Sequence, residues 1–263
     1  MRARCLPLAV AALLCCGVAL AQDDFQQFQD LLDRGLYNSA ALVAGPELIA
    51  DHPQDRRAHA LYARALLLSG DIGSARGALD SMLALGDDHE PQTADELQLA
   101  GLILAEEGNA AEATALLARA FGQSGFYVHA MDWGRLAWQS GDSGQAEEAY
   151  RAAADTPRGQ REPWPWLDLG RLLLFQGRLD EAEAALEQAI AVYEAFDSGV
   201  SLPSPAYVES FYRLGQLAEA RLEAGGETQW LSTAIGNYQN ALVGDPNYVP
   251  AQKALARLLD TEP

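Results

Sequence analysis

The sequence predicts an all-α fold, built as an array of antiparallel helix pairs. Three observations lead to this prediction. Small residues recur at fixed intervals along the chain, which is rich in Ala, Leu and Gly. Apolar residues between them follow the helical period. Glycines and helix-starting polar residues stand where each pair would turn, so the pattern favours short connections between consecutive helices.

The repeat is clearest around residues 165–189. From Gly170 the intervals are seven residues to Gly177, five to Ala182, four to Leu186 and three to Ala189. The same intervals recur in two further copies and, with two substitutions, in a third: Gly101, Gly108, Ala113, Leu117 and Ala120; Gly134, Gly141, Ala146, Tyr150 and Ala153; Ala63, Gly70, Ala75, Leu79 and Met82. Four copies in one register predict a tandem repeat.

These residues resemble the tetratricopeptide repeat family, whose unit is a helix pair of about 34 residues. The resemblance covers roughly residues 24–260. It implies a right-handed α-solenoid, the tetratricopeptide-like superhelix, in which the first helix of each pair lines a concave surface. It also implies binding of a protein or peptide, with no cofactor.

The spacing has an independent physical explanation. A small residue such as Gly170 allows two helices to approach closely, while Gly177 supplies the backbone freedom that ends the first helix. Polar residues suited to helix starts follow the turns: Asp71, Asn109, Asp142 and Asp180.

The two ends of the array are less regular. The first repeat has Phe28 at the small position, and its Gly45-Pro46 pair predicts a kink or break in the second helix. In the sixth repeat Gly215 and Ala234 lie 19 residues apart, which predicts a longer first helix. The predicted segments are a signal peptide (1–21), a degenerate first repeat (22–53), four regular repeats (54–195), an insertion (196–205), a sixth repeat (206–247) and a capping helix (248–263).

The N-terminal residues predict export. Arg2 and Arg4 precede an apolar run that closes with Ala19-Leu20-Ala21, as in a secretory signal peptide of a bacterium. Cleavage there would leave a mature chain that starts near Gln22, is periplasmic or secreted, and contains no cysteine. Lipid attachment at Cys15 or Cys16 is the alternative, although neither follows the small residue that such a site prefers.

Composition and motifs argue against most other classes of function. The net charge of -19 repels nucleic acid and anionic lipid. No histidine or cysteine pair has metal-ligand spacing, so neither a metal site nor a cofactor site is predicted. The acidic pairs Glu106-Glu107 and Glu147-Glu148 leave a glycan-cleaving helical enzyme as a distant alternative, but each pair lies on the polar side of a predicted helix.

The repeat register places a set of side chains on the predicted concave groove. The candidate partner-binding residues are Arg64, Leu67, Leu102, Met131, Arg135, Trp138, Trp164, Leu167, Arg171, Leu174, Tyr212 and Gln216. Tryptophan and arginine often anchor protein interfaces. The alternative is that Trp138, Trp164 and Phe175 pack between neighbouring helices.

Three of these candidates form a predicted arginine ridge. Arg64, Arg135 and Arg171 each follow the small register position by one residue, so they should recur on one face and attract carboxylates of a bound segment. The competing interpretation is pairing within a helix, from Asp132 to Arg135 and from Asp168 to Arg171. The sequence therefore predicts a non-catalytic interaction scaffold or adaptor of the cell envelope. A self-associating architectural subunit is the alternative, and the chain is either a monomer or a weak homo-oligomer.

Overall fold

The computed structural model describes residues 24–196, 202–225 and 227–260, and the chain divides into two compact units, Met1–Leu116 and Leu117–Pro263. We refer to them as the N-terminal and C-terminal units. The predicted signal peptide, residues 1–21, lies outside the described residues. Within the described part of the chain every regular element is a helix, and no strand is present.

Seven α-helices begin in the described part of the N-terminal unit, from residue 24 onward. They are α1 (24–33), α2 (Tyr37–Ser39), α3 (Gly45–Asp51), α4 (Arg56–Ser69), α5 (Ile72–Leu83), α6 (Ala94–Glu106) and α7 (Ala110–Ser124). The boundary between the units falls within α7. Buried apolar residues from Phe25 to Ile103 form one core in this unit.

The helices of the C-terminal unit continue the pairwise order. They are α8 (Tyr127–Gln139), α9 (Ser143–Asp155), α10 (Trp164–Phe175), α11 (Leu179–Phe196), α12 (Pro205–Glu223), α13 (Gln229–Gly244) and α14 (Val249–Asp260), with a short 3-10 turn at Gly159–Arg161. Each first helix packs on its second: α8 on α9, α10 on α11 and α12 on α13.

Helix ends follow the chemistry that the sequence predicts. The Asp71 carboxylate accepts a hydrogen bond from the Ser74 N–H at the start of α5, and Asp142 does the same for Gln145 at the start of α9. Asp180 differs, because α11 already begins at Leu179 and the carboxylate lies in its first turn. A negative charge there still stabilises the positive end of the helix dipole.

The small register positions permit close helix contact. A Cβ atom added to Gly170 would lie 2.6 Å from Leu186 Cγ, and one added to Gly134 would lie 2.6 Å from the Tyr150 ring. Gly177 has φ of 73°, a left-handed conformation that ends α10 at little cost for glycine. The spacing of the repeat therefore has the packing role that the sequence predicts.

The first repeat decides part of one prediction. Of the kink or break predicted at Gly45-Pro46, the break is wrong, because the chain passes from α2 through a π-helical turn at Ala40–Ala44 directly into α3. The Gly45 N–H donates to Ala40 O, and Pro46 then occupies the first turn of α3, where a missing N–H is tolerated. Gly45 itself is buried against the Tyr62 ring.

The C-terminal end is covered by α14. Ala251, Ala254 and Leu258 of this helix are buried in one cluster with Tyr238 of α13. Both α12, with 19 residues, and α13, with 16, are longer than α10, which has 12. Residues 197–201 of the predicted insertion lie outside the described residues. No helix in the described ranges has the length and apolarity to cross a bilayer.

Candidate functional site

Three of the predicted groove residues lie in the N-terminal unit. Arg64 and Leu67 are on α4 and Leu102 is on α6, and all three are half-buried. The Arg64 guanidinium donates to Gln98 Oε1 at 3.3 Å, and Leu67 packs against the core. Arg64 also lines a cavity of about 540 Å³ between α4 and α6.

The same cavity contains an arginine that is held by many acceptors. Arg56 donates to both carboxylate oxygens of Glu96, at 3.3 and 2.7 Å, and to the backbone oxygens of Met82 and Glu90, both at 3.1 Å. Its side chain is only 17% exposed. Burial raises the pKa of Glu96, but Arg56 and the Gln92 N–H outweigh it, and the net pKa is lowered. Arg56 therefore fastens α4 to α6.

Two predicted arginines of the C-terminal unit meet at one buried carboxylate. Arg135 Nε lies 3.4 Å from Asp168 Oδ2, and Arg171 Nη1 lies 3.1 Å from Asp168 Oδ1. Arg171 Nε is also 3.5 Å from a carboxylate oxygen of Glu209. Arg135 is 49% exposed and Arg171 is 33% exposed. The predicted pairing from Asp168 to Arg171 is thus present, and the same aspartate also reaches Arg135 on a different helix.

Asp168 is nearly inaccessible to solvent, and burial raises its pKa. The positive charges of Arg135 and Arg171 oppose this effect, and the hydrogen bond from Arg135 opposes it further. The carboxylate is therefore stabilised mainly by the two guanidinium groups, which it also holds in place.

We call the cavity above this carboxylate the arginine pocket. It has a volume of about 370 Å³ and is lined by Arg135, Trp138, Gln139, Tyr150, Asp168 and Arg171. The Arg171 guanidinium carbon lies 5.0 Å from the centroid of the Trp138 ring, within cation–π range. Trp138 in turn meets the Tyr150 ring edge to face, with centroids 6.4 Å apart. An aromatic wall and two cations thus converge on one cavity.

A second cavity adjoins the first, and we call it the Phe175 pocket. It has a volume of about 400 Å³ and is lined by Trp138, Arg171, Leu174, Phe175, Arg213, Gln216 and Ala220. Trp138 and Arg171 belong to both cavities. Phe175 is 77% exposed, so its ring does not pack between helices as the alternative interpretation required. The lining residues come from α8, α10 and α12, which are all first helices of their pairs.

Arg213 is a lining residue that the sequence analysis did not select. Its guanidinium donates to Glu209 Oε1 at 2.6 Å and to Gln216 Oε1 at 2.9 Å, and it lies over the Tyr212 ring. The predicted arginines each follow the small position of their repeat by one residue, whereas Arg213 precedes the small residue Gly215 by two. The spacing that identified the other arginines therefore did not identify Arg213. Glu209 lies four residues before Arg213, and this helical spacing was the feature of the sequence that could have indicated an ion pair there.

Tyr150 was also missed as a site residue, although its register position was identified. Other copies of the repeat have leucine at this position, at residues 79, 117 and 186. The hydroxyl of tyrosine in place of leucine was therefore the feature of the sequence that could have indicated a site residue. The side chain is fully buried, and its Oη has no hydrogen-bond partner in the described part of the chain. Burial raises the pKa of the hydroxyl, which remains a neutral donor.

Three predicted site residues of the C-terminal unit lie mainly in the core or beside it. Met131 and Leu167 are 2% and 0% exposed, so neither can present surface to a partner. Trp164 is half-buried and packs on the cluster that contains Leu167. Of the others, Leu174, Tyr212 and Gln216 are half-buried beside the Phe175 pocket, with Gln216 donating to the Tyr212 hydroxyl at 3.1 Å. We therefore leave Met131 and Leu167 out of the candidate surface.

The acidic pairs have structural partners. Glu107 forms an ion pair with Arg76, and Glu147 Oε2 accepts from Arg178 at 2.6 Å. Hydrogen bonds from these arginines lower the pKa of both carboxyls, opposite to the direction expected of a general acid. In the described ranges no cluster of three metal-ligating side chains occurs.

Comparison with known proteins decides the family. The tetratricopeptide repeat-like domain matches residues 19–168, more than half of the chain, and a tetratricopeptide repeat matches residues 163–188. This chain belongs to the tetratricopeptide repeat family. The all-α tetratricopeptide architecture predicted from the sequence is confirmed, and it is the fold of protein-interaction scaffolds. No sequence among the curated proteins matches the chain.

Solved structures with the same fold cover 80% to 92% of the chain. Pseudomonas aeruginosa pilF has a TM-score of 0.64 at 19% identity, covering 92% of this chain and 99% of that chain. PilW, a type IV pilus biogenesis factor, has a TM-score of 0.68 at 15% identity, covering 90% and 98%. YrrB, a TPR protein with an unusual peptide-binding site, has a TM-score of 0.56 at 16% identity, covering 80% and 97%. These similarities establish the fold alone.

Proposed function

We propose that the chain is a non-catalytic adaptor of the bacterial cell envelope, which binds a peptide segment or a partner protein on the first helices of its repeats. One observation carries the proposal. The arginine pocket and the Phe175 pocket adjoin on α8, α10 and α12, and they combine partly exposed guanidinium groups with an exposed aromatic ring. Surfaces of this composition form the centres of protein interfaces.

Two further findings support an envelope location. Residues 1–21 have the charge pattern, apolar run and small-residue triplet of a signal peptide. The related folds include PilW, which is a pilus biogenesis factor. Intact-mass analysis of the protein from the envelope fraction tests this location. We expect a mature chain that starts near Gln22, and a lipid-modified Cys16 at the N-terminus would contradict that cleavage site.

In-cell photo-crosslinking tests the adaptor function. A photoreactive phenylalanine at position 175 would report on the Phe175 pocket. The same residue at position 126 is the control, because Phe126 is also an exposed phenylalanine but lines neither pocket. We expect one defined protein to be crosslinked from position 175 and not from position 126. Equal crosslinking from both positions, or none, would contradict binding at this surface.

Self-association is a second candidate, favoured by apolar residues near the C-terminal end. Val243, Val249 and Leu259 are exposed on α13 and α14. Burial of such residues between copies would stabilise an oligomer. Size-exclusion chromatography with light scattering distinguishes the two candidates, because an architectural subunit should remain oligomeric on dilution whereas an adaptor should elute as a monomer.

A further inference from the structure

The two pockets of the C-terminal unit differ in chemistry although they share a wall. The arginine pocket contains the charged groups of Arg135, Asp168 and Arg171 beside the Trp138 and Tyr150 rings. The Phe175 pocket has an apolar side formed by Leu174, Phe175 and Ala220. Trp138 and Arg171 belong to both. A ligand that fills both pockets must therefore present a polar group and an apolar group close together.

The charges indicate the sign of the polar group. Three arginines line the two pockets, whereas the carboxylates that contact them are Asp168 and Glu209. A guanidinium has five N–H donors, so two arginines that share Asp168 offer more donors than one carboxylate accepts. This local excess of positive charge stands out in a chain whose net charge is -19. An anionic group is the complementary ligand.

The Tyr150 hydroxyl gives a second, independent indication. Tyr150 lines the arginine pocket, its side chain is fully buried, and its hydroxyl has no hydrogen-bond partner among the described residues. A buried donor without an acceptor is unfavourable, and a ligand oxygen in the pocket would satisfy it. An oxyanion would thus meet both the guanidinium groups and the hydroxyl.

We infer that the two pockets together bind a carboxylate that stands next to an apolar side chain in a peptide segment. The carboxylate would lie between Arg135 and Arg171, in the paired geometry that arginine offers to carboxylates. The apolar side chain would lie against Trp138 and Phe175. The inference rests on the proposed function and defines its ligand: the carboxylate comes from an Asp or Glu side chain or from the C-terminus of the partner.

Four small probes test separately whether binding requires the carboxylate and whether it requires the apolar side chain. Acetyl-phenylalanine has a terminal carboxylate beside a phenyl ring, and acetyl-phenylalanyl-glutamate amide has a side-chain carboxylate beside one. Acetyl-phenylalanine amide lacks the charge, and acetyl-glycine lacks the ring. Binding is followed by the indole N–H resonance of Trp138 in nuclear magnetic resonance spectra of the full chain. We expect at least tenfold weaker binding of both control probes than of the better carboxylate probe.

Matched variants locate the binding. Arg171→Gln should weaken the carboxylate probes at least tenfold while leaving acetyl-phenylalanine amide unchanged. Arg119→Gln is the control, because Arg119 is an exposed arginine of the same unit that lines neither pocket. Tyr150→Phe removes only the hydroxyl and should weaken the carboxylate probes severalfold. If Arg171→Gln perturbs folding, the effect of Tyr150→Phe on the carboxylate probes still tests the inference.

The outcomes distinguish this inference from the proposed function. If neither carboxylate probe binds, or if the amide binds equally well, the inference is overturned. Tight binding of acetyl-glycine would overturn its apolar part. A partner crosslinked from position 175 would still support the adaptor function in those cases. Conversely, probe binding without any crosslinked protein would support the pocket chemistry and contradict the adaptor. Preference for one carboxylate probe identifies the source of the carboxylate.

Discussion

In the N-terminal unit, Arg56 donates to both oxygens of Glu96 and to two backbone carbonyls, and its side chain is 17% exposed. In the C-terminal unit, Arg135 and Arg171 share the carboxylate of Asp168 and are 49% and 33% exposed. Both arrangements join neighbouring first helices. Only in the N-terminal unit do the acceptors satisfy most of the N–H donors of the arginine. The number of acceptors therefore distinguishes an arginine that connects neighbouring repeats from one that can bind a ligand.

The largest expected effect comes from the arginine that is fully paired. Arg56→Gln leaves the buried Glu96 carboxylate without its cation and should destabilise the protein by about 3 kcal/mol. Arg171→Gln is the matched change in the C-terminal unit and should cost less than about 1 kcal/mol, because the buried Asp168 carboxylate keeps Arg135 as its cation and Arg171 is itself 33% exposed. Urea unfolding measures both. Equal losses would contradict the comparison.

The same pair has a defined dependence on pH. The net pKa of Glu96 is lowered in the folded state, so its stabilising effect is present above the ordinary glutamate pKa of about 4.3 and is lost as the pH falls through the lowered value. The difference between wild type and Arg56→Gln should therefore shrink as the pH falls from 6 to about 3. A difference that stays constant would argue against an ionic origin.

Close helix contact gives the next largest effect. Gly170→Ala adds a Cβ atom 2.6 Å from Leu186 Cγ and should destabilise the C-terminal unit by about 2 kcal/mol. The N-terminal unit has Ala63 at the equivalent position and already accommodates a Cβ atom there. Gly122→Ala is the control, because nothing lies within 4 Å of its added Cβ atom. This control should be neutral or stabilising by up to about 1 kcal/mol. Thermal unfolding measures both variants.

Two tyrosines at equivalent positions test whether the arginine pocket contains an unused donor. Tyr238→Phe removes the hydrogen bond to Glu219, which also accepts from Arg257, and should cost about 1 to 2 kcal/mol. Tyr150→Phe should be neutral or stabilising by up to about 1 kcal/mol, since no hydrogen bond is lost and a buried donor without an acceptor is removed. A loss at Tyr150 as large as that at Tyr238 would show that its hydroxyl already has a structural role.

The smallest effect concerns the buried aspartate between the arginines. Burial raises the pKa of Asp168, so the folded state binds its proton more readily than the unfolded state does. Wild type should therefore gain stability relative to Asp168→Asn as the pH falls from 7 through the raised pKa. Urea unfolding of the two proteins between pH 7 and 4 measures this change. A relative loss of stability would mean that the two guanidinium groups outweigh burial.

The repeat register predicts much of the fold because small residues have a direct packing role. Gly134 and Gly170 are close-contact positions, and the aspartates at 71 and 142 cap helices. The π-helical turn at Ala40–Ala44 was not predicted, and neither was the close contact of Gly45 with Tyr62 on α4 that follows it. Local sequence rules do not describe that tertiary contact.

The candidate site was predicted less completely than the fold. The register identified Arg135 and Arg171, and helical spacing paired Arg171 with Asp168. The contact between Asp168 and Arg135 was missed, because these residues lie 33 residues apart in the chain. It also placed Met131 and Leu167 on the surface, although the turns of their helices direct both into the core. Arg213 follows a different register. The position of a residue in the repeat therefore predicts only approximately which face of the helix it occupies. Packing against neighbouring helices decides whether its side chain is exposed.

Side-chain resonances of the arginines test the central comparison most directly. The Nε–Hε signals of Arg56, Arg135 and Arg171 can be followed in the chain while acetyl-phenylalanine is added. We expect the signals of Arg135 and Arg171 to shift in a saturable way and that of Arg56 to remain unchanged. Equal shifts at Arg56, or no shift at Arg171, would contradict the distinction between fastening and ligand-binding arginines.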